Sequence, residues 1–282
     1  MNIQPEYNYS HVYMVPQKCI VKSRSDCDIS IELGKKKFRN PVIAANMKSV
    51  VDYDTCRYLT SKRMFYILHR FDLDWTDVKN FLFLSELKSI SVGVQSEDFS
   101  LIIDLKNEVY KYHPQYITID IAHAHSDIVV EMISHIKKNL PEAFVIVGNV
   151  CTKEAVIFLE KAGADCIKIG QGSGGACTTK NQTGFTRGMV SALLECSSKC
   201  RVPLIADGGI RECGDIAKAI ACGATMVMAG SFMSGFDENS GDTILINGER
   251  KYLYYGSASY NVKQDNKNIE GTEKLLDYKG SM

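Results

Sequence analysis

The chain has 282 residues, 45% hydrophobic and 23% charged, an ordinary globular balance. Lysine plus arginine and aspartate plus glutamate both total 33, so the net charge is zero, which argues against a general nucleic-acid or anionic-membrane binder. Ten cysteines are scattered without a CxxC pair, no basic-then-apolar leader opens the sequence, and no apolar run reaches membrane-spanning length. These features predict a cytoplasmic protein with free thiols. Cys196 and Cys200, four apart in a helical pattern without a nearby histidine, do not read as a zinc pair.

Residues 1–40 are polar and irregular, with Lys18, Lys22, Arg24 and Lys35-Lys36-Lys37, and read as a lead-in with a small hairpin. From Pro41 an alternation begins. Short apolar runs fall at 41–45, 65–68, 90–94, 116–119, 144–147, 165–169, 202–206 and 225–229, eight in all. Amphipathic helical patterns lie between them. In 127–139, Ile128, Val129, Met132, Ile133 and Ile136 recur at helical spacing opposite Glu131, Lys137 and Lys138. Segments 152–162, 188–199 and 212–222 read similarly. After 229 the rhythm breaks: 236–250 is rich in turn signals around a run at 243–246, and 251–259 returns to order. Residues 260–282 are polar and Lys-rich, and no helix pattern follows the eighth run.

Continuous apolar strands alternating with helices predict a parallel sheet buried on both faces. Eight such units predict one α/β domain over 1–282, a (β/α)8 TIM barrel lacking its last outer helix, with 236–282 as a flap or insertion and C-terminal segment. A doubly wound sheet would want a glycine fingerprint after its first strand, and 44–50 has none. A barrel places its site at the C-terminal strand ends. The residues there are Asn46-Met47, His69-Arg70, Asp120, Gly148-Asn149, Gly170 to Thr179, Asp207-Gly208-Gly209 and Gly230-Ser231, polar or glycine-rich almost throughout.

Of these, 168–180 stands out. Gly170, Gly172, Gly174 and Gly175 free the backbone to turn its amides onto a ligand, and the loop delivers a thiol, Cys177, with a hydroxyl at Thr179. A strand end, a permissive loop and a nucleophile suggest covalent catalysis on a small anionic ligand. The competing reading is a glycine-rich turn with a buried cysteine. Asp207 before Gly208-Gly209 is placed to accept from a ligand's hydroxyls or, alternatively, to cap a tight turn. Gly230-Ser231 sits where barrels commonly bind phosphate.

The Cys177 loop, Lys18 to Ser25, Asp120-Ile121-Ala122-His123-Ala124-His125-Ser126, Ile205 to Arg211 and Ile269-Glu270-Gly271 occur in one order. On these motifs the chain resembles the IMP dehydrogenase/GMP reductase family over residues 8 to 282, most closely its bacterial reductase branch. The resemblance implies reduction of GMP to IMP and ammonia with NADPH by a homo-oligomer, usually a tetramer. It implies Cys177 as nucleophile at purine C2, with Thr179 and Glu270 as the proton source for the leaving ammonia. It places Asp207 on the ribose, and Gly175, Gly208, Gly209, Gly230 and Ser231 around the phosphate side. Gly256, Ser257 and Ala258 would contact the purine. Asp120, His123 and Ser126 would lie on the nicotinamide side. The carbonyls of Gly170 and Gly172 match a loop that binds potassium in some relatives.

Several departures stand against that pattern. Ser173 replaces the usual proline, which should loosen the loop. Ala124 stands where glycine is commoner, and Lys267 and Ile269 where relatives often carry an arginine and a small polar residue. The chain also ends soon after Lys279-Gly280-Ser281. Other readings are IMP dehydrogenase without a regulatory domain, a catalytically impaired nucleotide-binding or assembly-regulating paralogue, and a flavin barrel.

Overall fold

The computed structural model describes residues 4–257, 259 and 271–282. Two short strands, β1 (Ile31–Leu33) and β2 (Lys36–Phe38), form the expected small hairpin. The parallel sheet follows: β3 (Val42–Ala44), β4 (Ser89–Val92), β5 (Tyr116–Asp120), β6 (Phe144–Val150), β7 (Cys166–Ile169), β8 (Leu204–Asp207) and β9 (Met226–Ala229). Their spatial order is β3-β9-β8-β7-β6-β5-β4, parallel throughout. The remaining apolar run, 65–68, second in the chain, is held by a parallel bridge from Leu68 to Ile90, beside β4. Leu68 N–H donates to Ser89 O and Ser91 N–H to Leu68 O. At the other end, Arg39 N–H reaches Arg63 O at 2.8 Å, joining the start of β3 to the start of that run. The sheet thus curls back on itself as a TIM-type barrel.

The helices follow their local signals. They are α1 (Tyr53–Ser61), α2 (Trp75–Leu84), α3 (Ser96–Asn107), α4 (Asp127–Asn139), α5 (Lys153–Lys161), α6 (Thr179–Thr183), α7 (Met189–Ser197) and α8 (Cys213–Ala221). Asp52, Asp74 and Thr152 accept from backbone N–H groups three residues on and so start α1, α2 and α5. In α4 the stripe Val129, Met132, Ile133 and Ile136 is buried, as its spacing requires.

The hairpin closes the N-terminal end of the barrel. Phe38 and Phe65 lie 5.1 Å apart, Phe65 and Tyr116 5.0 Å, and Tyr116 and Phe144 5.5 Å. Tyr116 Oη donates to Leu33 O at 2.7 Å. Each ring pair contributes about 0.5–1.5 kcal/mol beyond its burial. With that end plugged, the opposite end is left for a ligand.

Beyond β9 the outer wall departs from a regular barrel. Among the described residues no α-helix follows it. An antiparallel sheet forms instead from β10 (Thr243–Ile246), β11 (Glu249–Tyr255) and β12 (Glu273–Asp277). The polar composition of 260–282 conceals β12, because that strand is almost wholly exposed and carries no apolar alternation. The final residues pack back onto α1: Tyr58 Oη donates to Met282 O, and Met282 N–H to Glu238 Oε2.

Candidate active site

The site grows from strand register. Asp120 on β5 pairs with Gly148 on β6, and Gly148 with Lys168 on β7. Parallel neighbours in register share a face, so the three form one row. Gly148 is the device that makes the row work. A Cβ there would lie 2.5 Å from Lys168 Cβ. With none, Lys168 crosses the middle strand and places Nζ 3.0 Å from Asp120 Oδ1. The same ammonium lies 2.6 Å from Asp207 Oδ2, at the end of β8, and donates to Asn149 Oδ1.

Lys168 is buried, its side chain 2% exposed. Burial opposes its charge, but Asp120 and Asp207 hold its pKa above the ordinary lysine value. For Asp120, burial pushes the carboxyl up. The Lys168 ammonium, the charge of Arg70 and a hydrogen bond from Asn46 outweigh this and hold it below the usual carboxylate range. Asn46 Nδ2 donates to Asp120 Oδ2 at 3.0 Å, and Asn149 Nδ2 to Asp207 Oδ2 at 2.9 Å. Asp207 Oδ1 has no hydrogen bond to protein among the described residues. One carboxylate oxygen is therefore fixed and the other available to a ligand's hydroxyls.

A cleft of about 390 Å³ opens over this row and is lined by Asp120, Asn149, Lys168, Asp207 and Cys177. That volume lies in the range of small-molecule sites. Cys177 is half-buried, and its thiol donates to Thr179 Oγ1 at 3.2 Å. The loop that carries it is held from behind. Ser173 Oγ donates to Asp207 O at 2.8 Å, so the residue expected to loosen the loop ties it to β8 instead. Gly271 bridges Cys177 in antiparallel fashion, and Thr272 N–H donates to Ala176 O at 2.9 Å. The segment leading into β12 is thereby brought to the nucleophile.

The other predicted residues separate into groups. Gly170, Gly172, Gly256 and Ser257 line the same cleft. Gly208 and Gly209 adopt φ of +99° and +79°, Gly208 beside Ser173 and Gly174 and Gly209 against the Tyr9 ring. Gly175 faces Ser231 across the loop, and Gly230 lies against Tyr254 Oη. His123 is exposed and its Nδ1 accepts from Gln171 Nε2, while Ser126 sits at the N-cap of α4. Glu270 and Ala258 lie outside the described residues. The carbonyl of Gly170 accepts from Asn149 and that of Gln171 from Thr186. These bonds secure the loop's own shape. The Lys18–Ser25 motif is exposed and runs into a 3-10 turn, Arg24–Asp26, capped by Ser23.

Some site residues escaped sequence reasoning. Lys168 reads as a charge interrupting an apolar strand, and only its buried position marks it. Tyr254 lines the cleft, lies 3.7 Å from Met47 Sδ and accepts from the Ser231 backbone. Burial chiefly raises its phenol pKa. Arg70 also lines the cleft, and its Nε is buried with no partner among the described residues. Their signal was position alone, since Arg70 and Met47 follow predicted strand ends.

The IMP dehydrogenase / GMP reductase domain family model matches residues 6–280. A protein named GMP reductase from Clostridium acetobutylicum is 48% identical, over 98% of this chain and 85% of its own. One from Paracidovorax citrulli, also named GMP reductase, is 48% identical with the same coverage. The GMP reductase of Oceanobacillus iheyensis is 46% identical, again over 98% of this chain and 85% of its own.

Proposed function

The chain belongs to the IMP dehydrogenase/GMP reductase family, and from that premise we propose that it converts GMP to IMP and ammonia with NADPH. The observation that carries the reading is the Cys177 thiol, bonded to Thr179 in the same cleft as the Lys168-anchored Asp207. That pairing sets a nucleophile and a nucleoside-binding carboxylate within one small cavity. A buried cysteine of purely structural use would need neither.

Substrate contacts follow from the residues present. Asp207 Oδ1 accepts from the ribose hydroxyls. Gly175, Gly208, Gly209, Gly230 and Ser231 surround the phosphate, and Gly256, Ser257 and Ala258 border the purine. The Cys177 thiolate adds to C2 of the base. The C2–N bond breaks, and the amino group leaves as ammonia with a proton delivered through Thr179 from Glu270, because it would otherwise have to depart as the strongly basic amide anion. This forms an S–C2 bond, a thioimidate on Cys177. The bond is cleaved when C2 is reduced, and Cys177 departs with its electron pair as a thiolate. The pairing of Gly271 with Cys177 supports a role for the adjacent residue, Glu270.

The Asp120 side of the cleft suits a nicotinamide nucleotide. It offers an ionised carboxylate beside the Arg70 side chain, matched to the N–H donors of a carboxamide. Asp120, Arg70, His123 and Ser126 would hold it. When bound, NADPH supplies the hydride to C2. We take the whole of 1–282 as one catalytic barrel, assembled as a homo-oligomer and working in the cytoplasm. No helix among the described residues is long and apolar enough to cross a membrane.

The test is loss of NADPH absorbance on adding GMP, for the native protein and for Cys177→Ala. Turnover abolished by the substitution supports the reading. GMP binding without turnover would make the chain a nucleotide-binding paralogue. NADH formed from IMP and NAD would reassign it to the sibling reaction, and a yellow purified protein to flavin chemistry.

A further inference from the structure

Gln171 stands at the start of the Cys177 loop, and its side-chain amide joins three separate loop segments. Its Nε2 lies 2.9 Å from Ala122 O and 2.8 Å from His123 Nδ1, both in the loop after β5. Its Oε1 accepts from the Cys151 thiol at 2.9 Å, at the end of β6. Its backbone carbonyl accepts from Thr186 Oγ1 at 2.7 Å, from the far end of the Cys177 loop. The orientation of the amide is settled by Ala122. A carbonyl oxygen cannot donate, so the amide nitrogen must face it. That nitrogen carries two hydrogens. One goes to Ala122 O and the other to His123 Nδ1. His123 Nδ1 must therefore present a lone pair, and the ring proton sits on Nε2.

We propose that Gln171 is a positioning residue for the cofactor half of the site, fixing His123 as an Nε2–H donor and stapling the β5 loop to the loop that carries Cys177. The proposal rests on the function argued above, in which His123 lies on the nicotinamide-nucleotide side. The exposed Nε2–H then meets an oxygen of that nucleotide, a phosphate or a ribose hydroxyl. Gln171 itself lends no atom to the chemistry. It acts on the substrate half only through the loop, and the Ser173–Asp207 bond holds that part of the loop independently.

Two substitutions separate these effects. Gln171→Met keeps length and bulk and removes both donors. Gln171→Glu keeps the shape but sets only acceptors against Ala122 O and His123 Nδ1, which drives the ring proton onto Nδ1. The first readout is the ¹⁵N pattern of His123 by NMR, assigned by its absence in His123→Ala. The second is direct binding of NADPH and of GMP by titration, without turnover. We expect a pure Nε2–H pattern in the native protein and an Nδ1–H pattern in Gln171→Glu. NADPH dissociation constants rise about fivefold in both variants, the loss of roughly one hydrogen bond, while those for GMP change less than twofold. An Nδ1–H ring in the native protein overturns the proposal. So does equal weakening of GMP and NADPH, which would mark Gln171 as a support of the whole loop. Native protein that binds GMP but not NADPH overturns the cofactor assignment and the function above, while the NMR pattern still decides whether the staple exists.

Discussion

Lys168 and Asp207, on adjacent strands β7 and β8, form a buried ion pair at 2.6 Å that joins the two halves of the cleft. The same ammonium holds Asp120 on the opposite side. Two carboxylates assigned to different ligands therefore share one cation. Removing that cation should leave them facing each other across the cleft with their charges no longer neutralised. We expect Lys168→Met to lose about 3–5 kcal/mol of stability in urea titrations at neutral pH, since an unpaired buried charge is costly. The acid limb should move too. Asp120 is depressed in the folded protein, so its contribution is present above the ordinary carboxylate range and lost as pH falls below it. In Lys168→Met the ammonium no longer opposes burial, so this acid-side loss should shrink. An unchanged denaturation midpoint and acid limb would refute the shared-cation account.

Gly208 combines φ of +99° with a Cβ position only 2.5 Å from Ser173 Oγ. Gly208→Ala should thus strain the turn and push the Cys177 loop away from Asp207. The expected cost is roughly 1–2 kcal/mol, a rise of about tenfold in KM for GMP. Adding Ser173→Ala relieves the contact but not the backbone, so the double substitution should recover only part of the loss. Full recovery would show that φ is immaterial at this position.

Thr179 and Glu270 act on the leaving ammonia in the proposed mechanism. Thr179→Val and Glu270→Gln should each lower kcat by about 10²–10⁴, the usual range for a lost proton donor. Glu270→Gln should leave alkylation of Cys177 by iodoacetamide within a few-fold of native, since the thiol's bonded partner is Thr179. Parallel loss of turnover and alkylation in Glu270→Gln would instead make Glu270 part of thiol activation.

His69 is 6% exposed, and burial first, then the charge of Lys48, lowers its pKa to about 4. Free histidine titrates near 6.5. The unfolded chain therefore takes up a proton over this interval while the folded protein does not. Stability is full above about pH 6.5 and falls as pH drops toward 4, by about 2–3 kcal/mol. His69→Asn retains an acceptor in place of Nδ1, which receives Phe71 N–H, and removes the titration. Its stability should be flatter between pH 7 and 4.5 in urea titrations than that of the native protein. Equal slopes would mean that His69 protonates without cost.

Much of this molecule was already legible in one dimension, where the deciding physics is local. Apolar runs of strand length between amphipathic segments mean buried parallel strands, because nothing else hides both faces of such a run. The helix 127–139 follows from its stripe. Cys177 and Asp207 were visible because a reactive group at a strand end beside glycines is a local pattern. The remaining features depend on which strands become neighbours and in what register. Lys168 reaches Asp120 only because Gly148 falls between them in the assembled sheet. Tyr254 and Gly271 come to the Cys177 loop from a flap whose polar sequence conceals its strands. Gln171 finds Ala122, His123 and Cys151 across gaps that chain spacing does not encode. Composition and periodicity determine which segments are buried; the closure of the barrel determines which side chains meet, since register sets contact distances to within a residue.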